Sequence, residues 1–244
     1  MSLPHSVWTC YRALHGLIAD DSAALVTWLT PAELAELAHW RDAARRQQWL
    51  QARRLAKQLI QHASGASSLL AVQVLSRDER GLGVEPRVLV TSTGANQGQQ
   101  ATWSLSISHS RCGLLLGLAP ADDFRLGVDL VELSADHSHL ERMWFSDRER
   151  RLLAGKGQAR TATLWAVKEA VYKAVNQGQS WSPRDVEVLA IGPDHVDCTY
   201  RGQRLHDLRS EIQQVDGHVA ASVCLPASGR QTSLNTTTTA VLCS

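Results

Sequence analysis

The sequence predicts an α+β fold made of two similar halves. Strand and helix patterns follow in the order strand–helix–strands–helix–strands, a layout that repeats and suits two α+β halves. The stretch WSLSIS (103–108) alternates apolar and hydroxyl side chains, which is typical of a half-buried strand. The stretch LWAVKEAVYKAVNQG (164–178) instead has helical periodicity. Its apolar stripe consists of Leu164, Val167, Val171 and Val175. No residue-level repeat accompanies the layout.

The first half is predicted to span residues 1–120. It begins with a strand at 5–14, and TPAE (30–33) then has the form of a capping box with proline at the first helical position. A long helix is predicted from about Arg41 to His62. The remaining elements of this half are the strands at 72–77, 87–90, 103–108 and 112–119.

The second half is predicted to span residues 121–226. RLGVDLVEL (125–133) is predicted to be a strand, and SDRE (146–149) forms a second capping box that opens a short helix. The helix of the 164–178 stretch follows. The remaining strands are predicted near 185–191, 195–201 and 218–225. The tail at 227–244 is rich in Ser and Thr and is predicted to be disordered.

The composition argues against several classes of protein. A net charge of +1 gives no global field that favours nucleic acid or a membrane as a partner. The five cysteines include no CxxC pair, which argues against a disulfide framework or structural zinc and favours a reducing compartment. There is no signal-like N-terminus and no run of ~20 apolar residues. We therefore expect a soluble cytoplasmic protein that binds neither nucleic acid nor a membrane.

Asp129 lies inside the apolar strand GVDLVE (127–132). A carboxylate in a buried strand is costly unless it is paired, hydrogen-bonded or bound to a metal. The alternative is a strand-end aspartate that caps a loop. Together with Glu169 elsewhere in the chain, Asp129 could hold one hard cation, and magnesium fits best because it takes few protein carboxylates and completes its shell with water and phosphate oxygens.

Glu169 and Lys173 are one helical turn apart, and Lys168 lies at the margin of the apolar stripe. An exposed i,i+4 ion pair is the simple alternative, and it would contribute only a few tenths of a kcal/mol. A catalytic interpretation gives lysine the task of stabilising charge on a leaving oxygen.

The segment SISHS places His109 between Ser108 and Ser110, a compact set of donors suited to phosphate. A satisfied structural histidine is the alternative, and a nucleophile–base pair is disfavoured because no GxSxG turn surrounds either serine.

The long helix is basic along RDAARRQQWLQARRLAK (41–57). Arg46, Arg53 and Lys57 fall within ~40° of one another, and such a row can cradle phosphates unless it is simply a solvated face. A magnesium site, a histidine with hydroxyl donors and separate basic residues together predict a polyphosphate substrate that carries an extra phosphate.

Four motifs in this order resemble the 4′-phosphopantetheinyl transferase family. GVDLVE and WAVKEAVYK are similar to the two family signatures, while SLSISHS and ARRLAK match its hydroxyl-rich and basic motifs. The length resembles the surfactin-synthetase type, which is a monomer with two similar halves. The resemblance implies a pseudo-twofold α+β fold with coenzyme A bound in the cleft between the halves.

By position, the resemblance implies that Asp129 and Glu169 are magnesium ligands. Glu169 would also help, directly or through water, to deprotonate the attacking serine of a carrier protein. Lys173 would steady the pyrophosphate and the departing phosphate, and Lys168 would assist.

The resemblance also assigns contacts with the phosphates of coenzyme A, including its 3′-phosphate. These contacts are assigned to Arg53 and His109, with Ser108 beside them and Lys57 as a further candidate.

The sequence departs from the family pattern at two places. Many surfactin-type members have an acid two residues after the strand aspartate, where this chain has Val131. Strand alternation points the neighbouring Glu132 to the opposite face. Water is therefore expected in the coordination position of the magnesium ion that the missing acid would fill. The family often has G-K-P after its middle strand, where this chain reads RDERGLGVEPR. Arg77 or Arg87 would supply the missing cation, with Arg77 preferred because it precedes the turn.

The implied activity is magnesium-dependent transfer of 4′-phosphopantetheine from coenzyme A to a serine of an acyl or peptidyl carrier protein. The carrier could serve fatty acid, polyketide or nonribosomal peptide synthesis. The first alternative is a magnesium-dependent pyrophosphate or phosphodiester hydrolase that uses the same carboxylates. A non-catalytic carrier-binding module is the second alternative, but it gives no reason for Asp129 in an apolar strand.

Overall fold

The computed structural model describes residues 6–14, 18, 20–78, 81–91, 102–155, 157–176, 182–192 and 195–227. These residues form two compact units. The main unit lies within Met1–Ala13 and Ser106–Ser244, and the inserted unit lies within Leu14–Leu105. These bounds differ from those of the predicted halves, 1–120 and 121–226. The halves, their pseudo-twofold relation and the cleft between them stay predictions. The predicted tail lies outside the described residues from residue 228 onward.

The elements confirm the predicted α+β class. In chain order they are β1 (Trp8–Ala13), α1 (Ser22–Leu25), α2 (Pro31–Leu37), α3 (Ala43–Ser64), β2 (Val72–Arg77), β3 (Gly83–Val90), β4 (Trp103–His109), β5 (Gly113–Pro120), β6 (Phe124–Glu132), α4 (Ser138–Trp144), α5 (Asp147–Leu153), α6 (Gly157–Val175), β7 (Val186–Ile191), β8 (Val196–Tyr200), β9 (Gln203–Arg204), β10 (Arg209–Val215) and β11 (His218–Pro226). The order of a strand, then helices, then strands occurs twice along the chain.

The inserted unit consists of helices beside the antiparallel pair β2–β3. The predicted capping box at the start of α2 is present: Thr30 accepts from the Glu33 N–H, and the Glu33 side chain accepts from the Thr30 N–H. Helix α3 begins at Ala43 because the Asp42 side chain accepts the Arg45 N–H at 2.8 Å. It ends at Gly65, whose left-handed φ of 69° suits glycine.

The main unit contains three small sheets and helix α6. The strand orders are β1–β5–β4, β10–β11–β6 and β7–β8–β9. Helix α6 packs against β6 and β11, and it starts at Gly157, earlier than the 164–178 stretch predicted. Its predicted apolar stripe is buried in the core of this unit. Strand β10 was not predicted, because RSEIQQV is mostly polar and lies at a sheet edge.

Gly127 permits the close contact between β6 and α6. A Cβ built at Gly127 would lie 1.9 Å from the Ala170 carbonyl oxygen and 2.7 Å from the Ala174 nitrogen. Both atoms belong to the helix backbone, so no side-chain rotation relieves the clash. The helix therefore approaches the strand at a position that only glycine allows.

Gly127→Ala is expected to lower the free energy of unfolding by about 3 kcal/mol, because the added methyl forces α6 away from β6. Urea unfolding followed by circular dichroism measures the loss. Gly83→Ala is the matched control: nothing lies within 4 Å of a Cβ at that strand position. Equal stability of the two variants would contradict the close packing.

Among the described helices, none is long and apolar enough to cross a membrane.

Candidate active site

Asp129 is the centre of a hydrogen-bonded group on β6. Its Oδ1 accepts from the Ser108 hydroxyl at 2.7 Å and from the Lys173 ammonium at 2.7 Å. Lys173 also donates to the Val128 carbonyl oxygen at 3.0 Å. The carboxylate is nearly buried, at 7% exposure, so these partners offset the cost of removing it from water. Three residues singled out from the sequence therefore come together.

The face of β6 that carries Asp129 is the face against α6. Alternate residues of a strand share a face, and Gly127 of this face abuts α6. Val131, two residues further on, packs in the core that α6 forms. On α6, Glu169 and Lys173 are one turn apart and flank Ala170, the residue nearest Gly127. Glu169 is therefore on the same face of α6 as Lys173, which contacts Asp129.

Val131, at the position where the family resemblance would imply a further acid, is buried among apolar side chains. Glu132 accepts from the Ser134 hydroxyl at 2.9 Å, and its neighbours Val128 and Leu130 face the other core of the main unit. Within the described ranges, no group of three His, Cys, Asp or Glu side chains could hold a metal ion. The donor set near α6 is therefore two carboxylates, which suits magnesium because this ion often uses one or two protein carboxylates with water and phosphate oxygens.

Lys168 lies in the protein interior rather than beside Asp129. Its ammonium donates to both oxygens of Glu149, at 2.7 and 2.8 Å, and to the Val186 carbonyl oxygen. Lys168 is 1% exposed and Glu149 is fully buried. Burial lowers the pKa of Lys168, and the Glu149 carboxylate opposes that change. In the structure, Lys168 forms an ion pair with Glu149. A contact of Lys168 with coenzyme A stays a prediction.

Glu149 joins three elements through its carboxylate. It completes the predicted capping box of α5 with Ser146, and it also accepts the Val188 N–H at 2.9 Å. With Lys168, the carboxylate therefore links α5 to α6 and β7. A cap is normally a local device, whereas this one is also a tertiary contact.

The inserted unit repeats this arrangement. Glu33 completes the capping box of α2, pairs with the buried ammonium of Lys57 on α3 and accepts the Val74 N–H at 3.0 Å. The repeat is one of contacts, which is why the amino-acid sequences of the two units do not reveal it. The residue after Lys168 is Glu169, whereas the residue after Lys57 is Gln58, so the acid is present in one copy only.

Arg53 is also buried, at 2% exposure. Its Nη2 donates to Glu36 at 2.9 Å and to the Ser76 hydroxyl at 3.0 Å, and its guanidinium lies 4.6 Å from the centre of the Trp49 ring. Burial lowers the pKa of Arg53, and Glu36 opposes that change. Among the described residues, the Arg53 Nε and Nη1 atoms have no hydrogen-bond partner. Both atoms are shielded from solvent.

The basic row predicted on α3 is divided among separate acids. Arg46 pairs with Asp20, with Nη2 and Oδ1 2.7 Å apart, while Arg53 and Lys57 pair with acids of α2. These acids lie outside the sequence of α3. The sequence of the helix alone therefore does not show that its basic side chains are paired.

The remaining predicted residues are described within the unit to which each belongs. His109 is exposed at the end of β4 in the main unit. Arg77 of the inserted unit donates to the Gly81 carbonyl oxygen and lies 4.1 Å from the centre of the Trp40 ring, and Arg87 is exposed on β3. Their contacts with coenzyme A stay predictions.

The second part of the chain is similar to a known protein family. Residues 125–224 match the family model of the 4′-phosphopantetheinyl transferase superfamily. The matched segment covers less than half of the chain and includes Asp129, Glu169 and Lys173 but not Arg53. For this segment, the match confirms the family resemblance that the motifs predict.

Two solved structures are similar to part of the chain. A holo-(acyl-carrier-protein) synthase from Bacillus anthracis, solved in complex with CoA (3′,5′-ADP), is 25% identical, with 43% of this chain and 99% of that chain covered and a TM-score of 0.36. The Helicobacter pylori holo-[acyl-carrier-protein] synthase, solved with coenzyme A, is 21% identical, with 41% and 98% covered and a TM-score of 0.33. A comparison with curated proteins gave no match.

Proposed function

We propose that the chain is a 4′-phosphopantetheinyl transferase that modifies a serine of an apo carrier protein. The observation that carries the proposal is Asp129, a nearly buried strand carboxylate held by Ser108 and Lys173 against the helix of Glu169. This group of residues lies mostly within the segment that matches the superfamily.

In the proposed reaction, the serine oxygen of the carrier attacks the β-phosphorus of coenzyme A. The bond from that phosphorus to the bridging oxygen breaks, and adenosine 3′,5′-bisphosphate leaves. A neutral serine is a poor nucleophile, so its proton passes to Glu169 directly or through water. Lys173, whose side chain is 29% exposed, is a cation beside Asp129 that a diphosphate can approach.

Asp129 and Glu169 are the residues that would hold magnesium. When bound, the ion neutralises the diphosphate and orients it. The repeated contact of a capping glutamate with a buried lysine supports the two-halved, surfactin-synthetase type.

The experiment is to mix the protein with coenzyme A, magnesium and a panel of purified apo carriers from fatty acid, polyketide and peptide synthesis. Intact-protein mass spectrometry is expected to show a gain of ~340 Da on at least one carrier, because only transfer leaves the arm attached. The gain should disappear when EDTA is added or when the carrier serine is replaced by alanine.

Other outcomes would contradict the proposal. Breakdown of coenzyme A without a carrier, and without a mass gain, would identify a hydrolase. Carrier binding that needs neither magnesium nor coenzyme A, again without a mass gain, would identify a binding module.

A further inference from the structure

Two serines of β4 serve as hydrogen-bond acceptors for β6. The Ser106 hydroxyl accepts the Val128 N–H at 3.0 Å, and the Ser108 hydroxyl accepts the Leu130 N–H at 3.1 Å. Strand β6 is at the edge of its sheet, so these serine oxygens stand in for a neighbouring strand. Both side chains are buried, at 5% and 7% exposure. The hydroxyl face of WSLSIS is therefore turned inward.

Ser106 and Ser108 differ in the hydrogen bonds that their hydroxyl groups make besides accepting a strand N–H. An ionised carboxylate only accepts hydrogen bonds, so Ser108 must be the donor in its 2.7 Å contact with Asp129 Oδ1. The Ser108 hydroxyl thereby links the Leu130 N–H of β6 to the side chain of Asp129. The Ser106 hydroxyl instead contacts the backbone of Val128.

Ser108 and Lys173 together fix the orientation of the Asp129 carboxylate. Both of them donate to Oδ1, so this oxygen is occupied. Among the described residues, no hydrogen bond is made to Oδ2, which leaves that oxygen for a ligand. A carboxylate held in one rotamer binds a cation more tightly than a freely rotating one, because less side-chain entropy is lost on binding.

We propose that Ser108 is a positioning residue that presents Asp129 Oδ2 to a divalent cation, rather than a contact for a phosphate of coenzyme A. The inference rests on the proposed function, because it takes Asp129 as a metal ligand. It assigns Ser106, whose hydroxyl accepts an equivalent strand N–H, a structural role alone.

Ser108→Ala, Ser108→Thr and Ser106→Ala are compared in a direct measurement of Mn²⁺ binding by electron paramagnetic resonance, with Mn²⁺ as the probe for the magnesium site. Ser108→Ala is expected to weaken Mn²⁺ binding by about 10-fold or more, the usual effect of losing a hydrogen bond to a metal ligand. Ser106→Ala, which removes a similar buried hydroxyl, is expected to leave Mn²⁺ affinity within about 2-fold. Ser108→Thr retains the hydroxyl and should restore binding.

Kinetics with a carrier protein separates the two roles of Ser108. We expect Ser108→Ala to raise the magnesium concentration needed for half-maximal rate, with the KM for coenzyme A little changed. A raised KM for coenzyme A with unchanged Mn²⁺ affinity would overturn the inference and favour a phosphate contact. Equal loss of Mn²⁺ affinity in Ser106→Ala and Ser108→Ala would also overturn it, since both changes would then act through the strand.

Asp129→Asn distinguishes this inference from the function on which it rests. If Asp129→Asn weakens Mn²⁺ binding and Ser108→Ala does not, the inference fails while the metal site stands. If the unaltered protein binds no Mn²⁺, both fail together.

Discussion

Asp129→Asn and Glu169→Gln are each expected to slow carrier modification by about 10²–10³-fold while the chain stays folded. Each change removes one negative charge from a donor set of two carboxylates, and the amide that replaces it binds a hard cation weakly. Glu169→Gln also removes the base that would accept the serine proton. The rate of mass gain on the carrier, measured over a range of magnesium concentrations, gives the effect.

Glu132→Gln is the matched control for this pair. It removes the same charge from the same strand three residues after Asp129, but on the face turned away from α6. We expect its rate to stay within about 2-fold of the unaltered protein. A near-normal rate for Asp129→Asn or Glu169→Gln would refute the assigned site.

Lys168→Met is expected to lower the free energy of unfolding by about 3–5 kcal/mol, because it leaves Glu149 as a buried carboxylate without its cation. Both side chains of the pair are almost completely buried, at 1% and 0% exposure, so water cannot replace the lost partner. Urea unfolding measures the effect. The double variant Lys168→Met with Glu149→Gln should lose less than the sum of the single losses, since the uncompensated charge is then absent.

Two controls show whether burial decides this effect. Lys57→Met breaks the equivalent buried pair with Glu33 and is expected to cause a loss of similar size. Arg150→Met breaks an exposed pair with Asp147 and should leave the unfolding midpoint unchanged. If Lys168→Met unfolds like the unaltered protein but raises the KM for coenzyme A, Lys168 is a coenzyme contact and its structural assignment is wrong.

Local features of this chain could be predicted from short stretches of sequence. Both capping boxes are present where S/T-x-x-E indicated them, because their hydrogen bonds join residues only three apart. The buried stripe of α6 follows from helical periodicity in the same way. The boundaries were less accurate: α6 begins at Gly157, because GQARTATL continues the helix without an apolar stripe to mark it.

Pairings between distant residues could not be predicted in this way. The sequence predicts that Lys168, at the margin of its stripe, contacts coenzyme A, and this stays a prediction; the structure adds an ion pair with an acid 19 residues earlier in the chain, which the stripe does not indicate. The sequence predicts that Ser108 contacts a phosphate, and the structure adds a hydrogen bond from its hydroxyl to a carboxylate 21 residues later, which SISHS does not indicate. The sequence contains every group involved, but many acids could have been the partner of each.

Chemical types and local periodicity alone determined that this chain is α+β, that two of its helices open with capping boxes and that Asp129 needs a partner. The tertiary structure decided which partner each buried charge receives. The physical reason is that a buried ion pair depends on the close approach of elements far apart in the chain, and Gly127, which lets α6 reach the backbone of β6, is one position that sets this approach.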